Sequence, residues 1–154
     1  MIEPEEVIEA RIVALLSKAA PDIDVIGALT PVPEGAQKNS PDTYISVFAD
    51  VASQGLDYRG GGVPFAYSVR ATVHYTAADD ATGAGFRDAC RAVRSALAAL
   101  MGDGCSALDG GGFSCDAFTL GSTATAVDAD AELGGMAKTY NATVNGRFTQ
   151  QEGI

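Results

Sequence analysis

His74 is the only histidine in the chain. An imidazole beside a serine or cysteine nucleophile would point to a hydrolase or transferase. No nucleophile motif accompanies it, and it stands next to Arg70 on the polar side of an alternating stretch. The expectation is a surface or interface histidine whose loss leaves fold and function nearly intact. Asp128-Ala-Asp130-Ala-Glu132 spaces its carboxylates as a calcium loop does. Yet Leu133 would fill the position that needs glycine, and Thr139 the one that needs a bidentate glutamate. A solvated acidic turn is expected instead. The runs Gly60–Gly62 and Gly110–Gly112 lack the Lys-Ser or Lys-Thr that completes a phosphate loop, and they read as mobile connections. Cys90, Cys105 and Cys115 do not have the paired spacing of a zinc site, and Cys90 falls on the apolar side of a helix. No catalytic residue, metal or cofactor is expected.

Charge is distributed unevenly. The chain has 154 residues, with 20 acidic and 10 basic side chains and a net charge of −10. Such acidity argues against a nucleic-acid partner, because neutralising phosphates needs clustered Lys and Arg in excess. Arg87, Arg91 and Arg94 are the local exception, lining one flank of a helix at steps of four and three. They read either as a solvated face or as a contact for an acidic neighbour. The length suits one domain over residues 1–154, and a hydrophobic content of 47% suits a packed core. No apolar run is long enough to cross a bilayer, so no membrane partner is expected. An odd number of cysteines behind an acidic start without an apolar leader suggests a reducing compartment.

These residues are positioned by a small set of elements. Ile8, Ile12, Leu15 and Ala19 recur at helical steps, which predicts a first helix over Glu5–Ala19, opened by Pro4 and closed by Pro21. A short apolar stretch, Val25–Leu29, leads into a proline-rich excursion through Pro41. Tyr44–Val51 is apolar on both faces and predicts an interior strand. Phe65–Thr76 alternates strictly, with Phe65, Tyr67, Val69, Ala71, Val73 and Tyr75 facing the core. Phe86, Cys90, Val93, Leu97 and Leu100 form the stripe of a second helix that Gly102 stops, while Ala92, Ala96 and Ala99 allow close approach of another helix. Strands are predicted at Phe113–Leu120 and Tyr140–Thr149, with the acidic turn Ala126–Gly135 between them. The fold class is α+β: a largely antiparallel sheet with both helices on its apolar face, since a two-layer stack buries every apolar stripe.

This order of elements, with the phrases Pro41-Asp42-Thr43-Tyr44-Ile45, Tyr67-Ser68-Val69-Arg70-Ala71-Thr72-Val73 and Tyr140-Asn141-Ala142-Thr143-Val144, resembles the tail terminator, or tail completion, proteins of long-tailed bacteriophages and prophages. The resemblance spans nearly the whole chain, apart from the long glycine-rich links at Gly60 and Gly110. It implies a non-enzymatic subunit that forms a ring, commonly a hexamer. The ring caps the tail tube and joins it to the head, with tail-tube and head–tail connector proteins as partners. The protein would then reside in the virion, and in the bacterial cytoplasm during assembly. A ring needs two complementary surfaces on each subunit. The candidates are the basic flank Arg87, Arg91, Arg94 and the acidic turn Asp128, Asp130, Glu132, with Leu56 and Tyr58 as apolar groups of a loop that would order against a neighbour. Two other readings remain open. One is a small-molecule-binding or enzymatic α+β domain using Tyr58, Tyr67, His74 and Arg70, and the other is a host interaction module.

Overall fold

The computed structural model describes residues 4–21, 23–27, 43–54, 64–76, 84–110, 112–128 and 135–148. Helix α1 spans Pro4–Ala19. Pro4, Glu5 and Glu6 occupy its first turn and Lys18 its last, so the proline needs no amide partner and both charge signs oppose the helix dipole. Its buried side is Ile8, Ile12, Leu16 and Ala20. The sequence reading had placed Leu15 and Ala19 there. Leu15 is only partly buried and Ala19 is exposed, because the stripe keeps a step of four throughout and the Ile12-to-Leu15 step of three would rotate it off the sheet.

Five strands follow the order β1-β2-β3-β5-β4: β1 Asp24–Gly27, β2 Thr43–Gln54, β3 Pro64–Thr76, β4 Phe113–Asp128 and β5 Gly135–Phe148. All pairings are antiparallel except β1 on β2. β2 is interior as expected, and the short stretch near Val25 supplies the edge strand beside it. The final strand does not extend the sheet at its rim but inserts between β3 and β4. β4 continues past Leu120 to Asp128 and β5 begins at Gly135, so both ends of the expected acidic turn are strand, and residues 129–134 lie outside the described residues.

The register puts Val47, Ala71 and Tyr140 side by side, and likewise Ala49, Val69 and Ala142, so one sheet face gathers the apolar residues of every long strand. Both helices contribute their stripes to that same core. α2, Ala84–Ala98, buries Phe86, Ala89, Cys90, Val93 and Leu97, and the two helices touch. Ala92 and Ala96 are partly buried against the core, as small side chains near a helix contact should be, whereas Ala99 is exposed. The expected α+β arrangement is therefore observed.

Glycines and polar groups shape the far side of α2. Gly102 takes φ +65 after the helix, a conformation that disfavours a Cβ, and a 3₁₀ turn runs from Gly102 to Leu108. Gly110 is not a mobile connection. Its N–H donates to the Phe113 carbonyl at 3.2 Å, and a Cβ there would meet the Phe113 ring. Asp109 accepts the Cys115 N–H at 2.7 Å, and the Cys105 thiol donates to the Cys115 carbonyl at 3.4 Å. The Arg11 guanidinium reaches across from α1 to the Ala107 carbonyl at 3.3 Å.

Candidate functional site

The groups of the conceivable small-molecule pocket do not converge. Tyr67 is buried on the core face, while Arg70 and His74 lie on the opposite face of the same strand, and Tyr58 lies outside the described residues. On that opposite face Arg70 sits over the Phe48 ring at 5.3 Å, and Thr72 meets Thr139 at 3.1 Å. His74 stacks on Tyr44, 4.3 Å between centroids at 10°, and its Nε2 shares a hydrogen bond with the Ser46 hydroxyl at 2.9 Å. It is therefore more than the surface residue expected from sequence. The stack and the hydrogen bond together predict that His74→Ala costs about 1 kcal/mol in denaturant unfolding. Self-assembly of the variant should be unchanged, and a loss well above that figure would show a larger structural role.

Burial also takes the thiols away from chemistry. The Cys115 thiol is pushed up to about 12, first by desolvation and then by the nearby carboxylates of Asp109 and Asp116. Burial raises Cys90 as well, against the opposing hydrogen bond from Tyr140 and the charge of Lys138. Both shifts disfavour the thiolate that a nucleophile uses. Among the described residues, no group of three or more His, Cys, Asp or Glu side chains is placed to hold a metal.

What the fold does assemble is a basic cleft of about 590 Å³ between α2 and the outer part of the β4–β5 hairpin. Arg87, Arg91 and Arg94 line its helix side, and Thr123, Thr125 and Lys138 its sheet side. Sequence reasoning found the arginine flank but missed Lys138 and the two threonines. The threonines' place opposite α2 depends on the second irregularity of β4, between Leu120 and Thr123, whereas Lys138 shares the face of Tyr140 two residues further along β5. Past that irregularity Thr123 pairs with Tyr140 and Thr125 with Lys138, which puts all four on the helix-bearing face.

The cleft floor is rigid and neutral. Tyr140, 5% exposed, donates its hydroxyl to the Cys90 carbonyl at 3.2 Å, binding the sheet to the helix. Desolvation, followed by the influence of Cys90, pushes its phenol up to about 12, so it carries no charge at neutral pH. Lys138 lies over the Tyr140 ring at 5.5 Å. Arg91 pairs with Asp88 along the helix at 3.0 Å, with both side chains largely exposed. Among the described residues, no carboxylate lies within ion-pair distance of Arg87, Arg94 or Lys138. The arrangement can hold an acidic ligand.

No protein-family model and no curated protein sequence matches the chain. Among solved structures it is similar to a chain from the "Virion of native gene transfer agent (GTA) particle", at 20% identity over 92% of this chain and 93% of that one, with a TM-score of 0.53. The likeness is one of fold. It spans most of both chains. Of the acidic candidates, Asp128 ends β4 in register with Gly135, whereas Asp130 and Glu132, like Leu56 and Tyr58, lie outside the described residues.

Proposed function

We propose that this chain is a structural subunit of a phage-like virion, and more narrowly a tail terminator that closes the tail tube as a ring of identical copies. The observation that carries the reading is the likeness of fold, over most of both chains, to a chain of a gene transfer agent virion. The element order supports the same reading, as does the basic cleft beside α2, which offers a contact for an acidic neighbour. A non-enzymatic role and a place in the virion follow from it. The competing small-molecule reading loses support because its proposed groups fall on opposite faces of β3.

The ring is tested by light scattering on the purified chain over a wide range of concentration, with negative-stain imaging of the largest species. A closed oligomer with a central opening is expected, growing in population with concentration. A chain that is monomeric throughout would refute the self-assembled ring. The broader virion reading is checked separately by gene neighbourhood, where genes for other virion structural proteins are expected on either side. Flanking genes of unrelated metabolism would overturn it.

A further inference from the structure

The geometry points to one occupant for the basic cleft: the acidic stretch Asp128-Ala-Asp130-Ala-Glu132 of a second copy of this chain. The inference rests on the ring reading and names the contact that would build it. Three cations in the cleft, Arg87, Arg94 and Lys138, have no carboxylate partner among the described residues, and the floor beneath them is neutral. The rest of the molecule is strongly acidic, with a net charge of −10, so a nucleic acid would be repelled by most of the surface it approached. The stretch Asp128–Glu132 has three carboxylates in five residues with alanines between them, opposite in charge to the cleft. A cleft of about 590 Å³ is roomy enough for a few residues of extended chain, and Thr123 and Thr125 add hydroxyls that can donate to carboxylates.

The ring reading selects a neighbour's acidic stretch, and the described strands lead away from the cleft. Thr125 pairs with Lys138 at the cleft, and the ladder then continues without a break through Val127–Met136 to Asp128–Gly135. At roughly 3.3 Å per residue, that carries the backbone about 10 Å beyond the cleft to Asp128, where the described part of β4 ends. A head-to-tail contact that closes into a ring needs two complementary surfaces on each subunit. The charge pairs set register and encounter rate, while the apolar surroundings hold the contact once made.

Two charge-reversed full-length variants test the contact: Arg91→Glu with Arg94→Glu, and Asp130→Arg with Glu132→Arg. Melting curves are expected to match wild type, since the arginines are exposed, and Lys138→Gln provides a milder second cleft variant. Each reversed variant alone is expected to need at least about tenfold more protein to assemble than wild type. An equimolar mixture of the two should assemble again, because each then offers the surface the other lacks. Variants that assemble as wild type does would overturn the cleft contact while leaving the ring intact, and a mixture that fails to recover would also overturn it. If wild type itself is monomeric, the ring reading fails and a labelled peptide of residues 126–134 decides the cleft. Binding to wild type but not to the arginine variant supports the contact, and no binding overturns it. Duplex DNA bound at physiological salt and lost in the arginine variant would overturn the acidic-segment assignment in favour of a nucleic acid.

Discussion

Gly146→Ala is expected to destabilise the protein by about 3 kcal/mol or more, because overpacking cannot be relieved where a neighbour is backbone. Gly146 lies in β5 opposite Phe65 of β3 and Cys115 of β4. A Cβ there would meet the Ser114 carbonyl and the edge of the Phe65 ring, whose Cζ would be 2.6 Å away. The ring cannot swing clear. It packs against Tyr67 at 4.9 Å, Phe148 at 5.2 Å and Phe113 at 5.9 Å. This aromatic cluster covers the missing side chain and holds the three strands together at one end of the sheet. The loss should lower the melting temperature by about 10 °C in a chain of this size. Gly112→Ala is the control, since nothing lies within 4 Å of a Cβ at that position and its change should stay within about 0.5 kcal/mol. Equal effects at the two glycines would show that the close approach around Gly146 is wrong.

The second large effect separates two neighbouring leucines. Leu16→Ala is expected to lose about 2–5 kcal/mol, because Leu16 is 1% exposed at the core and the space it leaves cannot fully collapse. Leu15→Ala, at a partly buried site, should lose about 1 kcal/mol. Chemical denaturation of both variants measures the difference directly. α1 is held to the sheet by its stripe and by one polar contact, in which the Ala49 N–H donates to the Glu9 carboxylate at 3.2 Å. That contact satisfies a β2 amide beyond the end of the short β1, so α1 also caps an open strand edge. A larger loss at Leu15 than at Leu16 would mean that the helix is rotated from the position described.

Much of this protein was legible in local pattern. Strict alternation from Phe65 to Val73 specified which side of β3 is buried, since a strand has a period of two and a slip of one residue would reverse every side chain. The stripe Phe86, Cys90, Val93, Leu97 specified α2, and with it the exposed arginine flank. The absence of nucleophile and metal patterns steered the functional reading toward assembly. Where the periodicity was ambiguous, as between Leu15 and Leu16, only packing against the sheet chose the stripe. The insertion of β5 between β3 and β4 was equally invisible, because pairing partners far apart in sequence leave no local signature. Lys138 and Arg94 line one cleft because Lys138 shares the face of buried Tyr140, and the threonines join them because β4 slips register before Thr123. Sequence determined the cations of the helix, and tertiary structure decided what they face, since a surface formed by two distant segments exists only after the sheet has closed.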